Sequence, residues 1–286
     1  MRSVKLFIVA GAASLLSSAA FAADMPIMPP PPMAYAPPPV QDFGGWYLRG
    51  DIGMTNVNGH LHVNSYDTLP AGSTLNKLGH EFSGGMSYGL GVGYQFNNWL
   101  RADITGEYRS KTTFSGTDFA TIPGFGPISD VYGGGFKSWV GLVNLYADLG
   151  TWWCLTPFVG VGVGAAHIQT SGFQDSGNLF TTVTGPQSIV TGASYFADGA
   201  SRTNFAWAVH AGVAYKVTNN FTVELAYRYL DMGTAVQGFG RSFDGSNAGP
   251  SSFQFRDLTS QDVRLGVRWT CCDVPPPPPP PLVTKG

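Results

Sequence analysis

The feature that most constrains this sequence is the alternation of apolar and polar residues over positions 86–108. Apolar side chains recur with a period of two, at Met86, Tyr88, Leu90, Val92, Tyr94 and Phe96 and, after an Asn97-Asn98 turn, at Leu100, Ala102, Ile104 and Tyr108. This period predicts strands with two unlike faces. Strands of about 10 residues with an aromatic-rich apolar face are typical of transmembrane β-barrels, whereas strands in soluble domains average about 5–6 residues. The pattern therefore favours a barrel whose apolar face contacts lipid.

The two ends of the chain predict secretion and proline-rich flanks. Arg2 and Lys5, an apolar run at 6–16 and the sequence Ala-Phe-Ala at 20–22 predict a signal peptide over residues 1–22. Its apolar run is shorter than the ~20 residues of a membrane helix, and no other run in the sequence is long enough. Prolines concentrate in residues 23–42 and 271–286, which are predicted to be extended periplasmic segments on either side of a barrel at 43–270.

The charge balance argues against nucleic acid as a partner. Without Arg2 and Lys5, 14 basic residues face 18 acidic ones, which leaves a net charge of about −4. No basic run is present to contact phosphates. Charged residues make up only 12% of the chain and glycine occurs 38 times, which suits a β-protein whose surface contacts lipid.

Eight strands are predicted, joined by connections that alternate between long and short. They cover residues 46–56, 86–96, 100–109, 136–149, 156–169, 202–217, 221–230 and 261–269. Outer-membrane barrels have even strand numbers, short periplasmic turns and long outer loops. Aromatic residues near the short turns predict a girdle at the lipid headgroups, formed by Trp46, Phe96, Trp99, Trp152, Trp153, Phe221 and Trp269. The predicted fold is an all-β, eight-stranded, antiparallel, up-and-down transmembrane β-barrel with four long outer loops.

The polar faces of these strands are predicted to carry charges of both signs into the lumen. The residues are Arg49, Asp51, Arg101, Asp103, Glu107, Arg109, Asp148, Glu224, Arg228, Asp262, Arg264 and Arg268. They are either the selectivity lining of a pore or a network of ion pairs that fills a lumen only wide enough for side chains. We favour the network, because an unpaired buried charge is costly and mixed signs favour pairing. Gly160, Gly162 and Gly164 are predicted to leave room for bulky neighbours in this narrow lumen.

The histidines of the first long loop give a weak signal for metal or haem iron. His60 and His62 share a strand face, and His80 and Glu81 follow in the same loop. Metal sites normally have three or four ligands, and no third ligand at fixed spacing is visible, so no metal or cofactor is predicted. No nucleophile has a recognisable companion base, so no enzymatic activity is predicted.

The three cysteines lie at one predicted membrane face. Cys154 falls in a periplasmic turn, and Cys271 and Cys272 follow the last strand. In an oxidising periplasm, a disulfide from Cys154 to Cys271 or Cys272 is one interpretation. The other is a vicinal disulfide or free thiols. Zinc is not expected, because no histidine is nearby.

Three stretches of the sequence resemble a known family. They are GGWYLRGDIG at 44–53, YGLGVGYQF at 88–96 and VRLGVRW at 263–269. Over residues 43–269 the chain resembles the small eight-stranded outer-membrane surface proteins of Alphaproteobacteria, which are relatives of the neisserial opacity proteins and of the outer membrane protein A barrel. Family barrels commonly end on a terminal aromatic residue, whereas here Trp269 is followed by the cysteine pair and the proline-rich tail.

This resemblance implies a Gram-negative outer-membrane location with both flanks in the periplasm and assembly by the barrel-assembly machinery. Family members are often described as porin-like or as surface antigens, and some as hemin-binding. The expected function is structural: to stabilise the envelope among outer-membrane lipids and to present loops to host surface molecules or haem. The alternatives are a narrow porin for small solutes and a haem or metal receptor based on the first loop.

Overall fold

The structure, a computed structural model, describes residues 44–63, 70–124, 126–182, 188–245, 248–251 and 253–271. The predicted signal peptide, the N-terminal proline-rich segment and residues 272–286, which include Cys272, lie outside these described residues. All described residues belong to one compact unit that begins at Gln41. None of them belongs to a helix with the length and hydropathy that a membrane crossing needs.

Antiparallel strands account for most of the described chain. In order they are β1 (Trp46–Val63), β2 (Thr74–Phe82), β3 (Gly85–Gln95), β4 (Leu100–Ile122), β5 (Gly126–Asp148), β6 (Leu155–Thr182), β7 (Ser188–Ala197), β8 (Ser201–Lys216), β9 (Phe221–Asp231), β10 (Ala235–Val236), β11 (Phe239–Ser242), β12 (Gly249–Pro250) and β13 (Phe253–Thr270). Eight of them pair in the order β1-β3-β4-β5-β6-β8-β9-β13 and back to β1. The ladder between β6 and β8, from Leu155↔Tyr215 to Gln169↔Ser201, completes the ring. The predicted eight-stranded barrel is confirmed.

Side chains alternate between the outer surface and the lumen, as the period of two predicts. At the start of β1, Trp46 is 62% exposed on the outer surface, whereas Tyr47 is 1% exposed in the lumen. The aromatic residues predicted to form the periplasmic girdle are all exposed on the surface. A second set of aromatic residues, which the sequence analysis missed, lies about one strand length higher. Its rings pack across strands, with centroids 4.8 Å apart for Tyr108 and Trp139 and 5.5 Å apart for Trp207 and Tyr229.

The prediction of four long outer loops is wrong, because much of these segments is β-structure. β4 and β5 continue past the aromatic residues to an outer pair at Ile122↔Gly126. The first connection contains the rest of β1 and all of β2, which pairs with β4, while β7 pairs with the outer part of β6. The outer hairpins thus extend the barrel wall beyond the apolar band.

Register shifts explain why the alternation seemed to stop at the predicted strand ends. On β4 the register shifts between Arg109 and Thr112. Even-numbered residues face outward before this shift and inward after it. On β6 and β13, similar shifts lie beside Gly172 and Asp257, which have positive φ values of 66° and 53°. A β-bulge inserts one residue and reverses the face that the following side chains occupy. Apolar residues therefore keep the same sequence parity while they move from the outer surface to the interior.

An aromatic core fills the interior of the outer hairpins. Phe114 and Phe255 pack with their ring centroids 4.3 Å apart, and those of Phe173 and Phe253 lie 4.5 Å apart. All four residues are buried, and Phe136 is buried in the same cluster. The barrel interior therefore has a charged part within the apolar band and an apolar part beyond it.

Strand glycines make room for two tyrosines in the lumen. A Cβ atom at Gly93 would overlap the ring of Tyr47, and one at Gly160 would overlap the ring of Tyr146. Both tyrosines are almost fully buried. Small residues opposite large ones are therefore needed for this narrow barrel to close around its contents.

We expect Gly160→Leu to reduce folding strongly, because its side chain would occupy the space of the Tyr146 ring, and overpacking of this kind costs roughly 1–3 kcal/mol or more. The measurement is the fraction of refolded protein that migrates differently on a denaturing gel before and after boiling. Gly141→Leu on the neighbouring strand is the control, because Gly141 faces outward and a Cβ there meets no heavy atom within 4 Å. Equal folded fractions for the two variants would contradict this role for Gly160.

Candidate functional site

The twelve charged residues selected from the sequence all lie in the lumen. Each is at most 8% exposed, and the six arginines balance the six acidic residues. They occupy inward positions on β1, β4, β5, β9 and β13. We refer to these twelve residues as the lumen network.

The upper part of the lumen network centres on Arg228. Its guanidinium donates hydrogen bonds to Glu107, with the shortest at 2.7 Å, and to Asp262, with the shortest at 2.6 Å. Arg109 binds both carboxylate oxygens of Asp262, at 2.9 and 3.0 Å, and donates to Ser260 at 2.5 Å. Charge-assisted bonds of this bidentate kind are among the strongest in proteins. They connect β4 with β9 and β13 across the lumen.

The lower part of the lumen network centres on Glu224. Three arginines approach its carboxylate, with N···O distances of 3.5 Å for Arg49, 3.4 Å for Arg101 and 3.5 Å for Arg268. Arg49 also donates to Asp103 at 2.8 Å and Arg101 to Asp148 at 3.2 Å. Every charge in this part therefore lies close to at least one charge of opposite sign.

Aromatic rings pack against this lower part. The Arg101 guanidinium lies 4.3 Å from the ring centroid of Tyr146 and 4.7 Å from that of Phe158. These contacts add cation–π attraction to the ion pairs of Arg101. The hydroxyl of Tyr146 accepts a hydrogen bond from Arg49 at 3.0 Å. The tyrosine thus holds two arginines in place.

Asp51 and Arg264 join the two parts. Asp51 pairs with Arg264 and lies 3.5 Å from Arg49, and Arg264 lies 3.2 Å from Glu107. All twelve charges therefore belong to one continuous network. Chemically, it is an array of buried charges of both signs, each within 3.5 Å of a charge of opposite sign.

Two polar residues that were not selected from the sequence extend the lumen network. The Asn144 side-chain amide donates to Asp103 at 2.7 Å and to Thr105 at 3.0 Å. His210 lies with its Nε2 atom 3.2 Å from Asn144 Oδ1. The inward position of both residues on their strands was the only sequence signal for them.

A second polar cluster lies in the outer hairpins. β2 brings His80 against β4 and β5, where Tyr132 hydrogen-bonds to His80 and Asp118 lies 3.8 Å from the imidazole. Burial, a hydrogen bond with Asp130 and the charges of Asp130 and Asp118 raise the pKa of Asp175 to about 9. Burial and these two neighbouring carboxylates thus favour the neutral form of the Asp175 side chain.

His60 and His62 lie on the outer part of β1, opposite Arg256 and Gln254. His60 is exposed and His62 is half-buried. Among the described residues, no three or more His, Cys, Asp or Glu side chains are arranged to hold a metal ion. A metal or haem site at these two histidines gains no support from this arrangement.

The structure does not join Cys154 and Cys271 in a disulfide. Cys154 precedes β6 and Cys271 follows β13. The backbone N–H of Cys271 donates a hydrogen bond to the Trp46 carbonyl. Three strand intervals of about 4.8 Å separate β6 from β13 around the barrel, and a disulfide joins Cα atoms no more than about 7 Å apart. Pairing with Cys272, outside the described residues, stays a prediction.

Comparison with known proteins gives one matching family and several relatives. The family model described as "Outer membrane protein beta-barrel domain" matches residues 8–270. A protein of Brucella suis biovar 1, named only as uncharacterized, is 34% identical over 227 residues, which cover 74% of this chain and 76% of that protein. The outer membrane protein PagN of Salmonella typhimurium is 26% identical over 199 residues, or 66% of this chain and 75% of PagN. A provisionally named adhesin of Rickettsia typhi is 26% identical over 196 residues, or 66% and 72% of the two chains.

We expect Arg228→Met to lower the free energy of unfolding by about 3–5 kcal/mol, because the Glu107 and Asp262 carboxylates would lose a buried partner. Urea unfolding of the protein in lipid bilayers measures this change. Arg241→Met is the matched control, since Arg241 and Asp198 form an exposed pair at 3.7 Å, for which a change of about 0–1 kcal/mol is expected. Equally small losses in both variants would contradict a strong contribution of the lumen network to stability.

Proposed function

This chain belongs to the outer membrane protein beta-barrel domain family, and we propose that it serves as a closed structural barrel whose outer hairpins contact other surfaces. It is located in the outer membrane of a Gram-negative cell. In this role the barrel stabilises the envelope, and the hairpins form its outward-facing part. The proline-rich flanks, residues 23–42 and 271–286, are proposed to extend into the periplasm.

The observation that carries this proposal is the continuity of the lumen network. Arg228 and Arg109 both bind the Asp262 carboxylate and connect strands across the lumen. Below them, three arginines lie within 3.5 Å of the Glu224 carboxylate. In a pore lining, charges are directed at water, whereas here each guanidinium is directed at a carboxylate. Side chains paired in this way occupy the cross-section of an eight-stranded barrel, which is only wide enough for side chains. This supports a plug over a pore.

The outer hairpins support the second half of the proposal. They are β-structured around a buried aromatic core, so the residues on their outer surface keep fixed positions. Large apolar side chains such as Leu78 and Phe243 are nevertheless exposed there, at 67% and 84%. Apolar side chains that are exposed and held in place are available for burial against a partner, which would be favourable. The relative in Rickettsia typhi that carries an adhesin name is in line with this role.

We expect no steady conductance from refolded residues 23–286 in a planar bilayer. Because every charge of the lumen network has an opposite partner, ions would meet a filled cross-section. Insertion must be established in the same sample by heat-dependent migration on a gel. Steady ion-selective steps that change in Arg101→Ala or Asp103→Ala would contradict the closed barrel and establish the narrow porin instead.

We expect the outer hairpin of β6 and β7 to be needed for attachment to other cells. The variant replaces residues 175–195 by a two-residue turn and leaves the Gln174↔Phe196 pair in place. The measurement is the number of bacteria that attach to an epithelial cell monolayer when a non-adherent host expresses either form at equal surface amounts. A severalfold loss is expected, with Arg241→Met as the control that keeps the hairpin. Equal attachment of both forms, or none by the intact protein, would contradict the proposed contact role.

A further inference from the structure

The barrel wall is interrupted on one side of the outer hairpins. β3 begins at Gly85 and pairs with β1 only over residues 46–55. Above that level β2 takes the place beside β4, and in the described part of the chain residues 56–63 of β1 pair only with β13. The gap between β2 and residues 58–63 of β1, which we call the outer seam, therefore lacks the backbone ladder that closes the wall elsewhere.

A pocket of about 100 Å³ opens at the outer seam. Its floor consists of Phe114, Tyr132 and Phe255, each at most 4% exposed, and Phe82 forms one wall. The ring planes are mutually inclined, with Phe82 at 74° and Phe114 at 62° to Phe255. The pocket therefore offers both ring faces and ring edges, which are the two surfaces that aromatic partners prefer.

Polar groups surround the mouth of the pocket. His60 and Ser115 are exposed at its rim. His80, also at the rim, is held by Tyr132 on one side and lies 3.8 Å from Asp118 on the other. An apolar floor with a few convergent polar groups at the mouth is the usual form of a small-molecule site.

Gly59 keeps this mouth open. A Cβ atom there would lie 3.0 Å from the Leu258 side chain and 3.5 Å from the ring of Phe82. Larger side chains at this position would extend into the space between β1 and Phe82. Gly59 has no positive φ, so backbone conformation alone does not require glycine.

We propose that this pocket binds a single-ring aromatic molecule with one polar substituent, of the phenol class. An enclosed cavity of about 150 Å³ holds benzene. This pocket measures about 100 Å³ and is open at one end, so a single ring inserts part of the way and its outer edge stays at the mouth. The ring packs against the cluster of Phe82, Phe114 and Phe255, whose centroids lie 4.3 to 6.2 Å apart. Its hydroxyl lies at the rim near His60 and Ser115. The four-ring plane of haem does not fit between these side chains. This site is independent of whether the hairpins attach to other cells.

Binding is tested with 4-fluorophenol as the probe and its ¹⁹F resonance as the signal, added to the refolded mature protein in detergent micelles. The wild type should shift the resonance saturably beyond the effect of empty micelles, with a Kd on the order of 1 mM. Gly59→Val should weaken binding by about tenfold or more, because the new side chain enters the mouth. Gly79→Val on β2 is the matched control with unchanged affinity, since a Cβ there meets no heavy atom within 4 Å.

Four results would overturn the proposal. One is a wild-type shift no larger than that of empty micelles. Another is equal affinity in wild type and Gly59→Val, which would place binding elsewhere. A third is an equal loss of affinity in Gly59→Val and Gly79→Val, which would reflect a general change in the hairpins. The last is equal affinity for 4-fluorocyclohexanol, which would remove the preference for an aromatic ring. Heat-dependent migration of each variant confirms that the barrel is folded.

Discussion

The backbone hydrogen bond is the interaction on which the rest of this structure depends. Hydrocarbon offers no partner to an unpaired N–H or C=O group, so a strand can cross a membrane only when both of its edges are bonded. The ladder between β6 and β8 satisfies the last two edges and closes the ring. Eight strands make that ring narrow, and a narrow ring needs small residues such as Gly160 opposite large ones such as Tyr146. The charges that face inward then have only each other as partners, and the lumen network results.

The same wall is exposed to two solvents, and its interior changes accordingly. Within the apolar band, apolar side chains face the lipid and charged side chains face the lumen. Beyond the band, water surrounds the wall, so the interior becomes apolar around Phe114, Phe173 and Phe255. On β4, β6 and β13, register shifts near this boundary reverse the faces while apolar residues keep their sequence parity. The bulges thus convert a membrane strand into a strand of a water-soluble β-structure without a change in pattern.

Period and turn chemistry predicted the parts of the fold that depend on local sequence. The eight strands, their outward faces, the periplasmic aromatic residues and the identity of the lumen charges all follow from alternation between recognisable turns. The partners of each charge did not, because the match of Arg228 with Glu107 joins strands more than a hundred residues apart. The outer seam and its pocket were likewise hidden, since they depend on β2 folding back onto β4. That the strands next to Cys154 and Cys271 are not neighbours follows from the predicted strand order as well, and the structure does not join the two residues.

The continuity of the lumen network has a consequence for how the barrel assembles. Backbone ladders accept any register almost equally, but a slip of one residue would turn every side chain of a strand to the opposite face. In β13, such a slip would place Arg264 and Arg268 in lipid and Val263 and Val267 among the carboxylates. Because five strands contribute to one charge-balanced set, a one-residue slip of any of these strands would remove its charges from that set. The lumen network thus favours the native strand register over slipped registers that backbone hydrogen bonds alone would not distinguish.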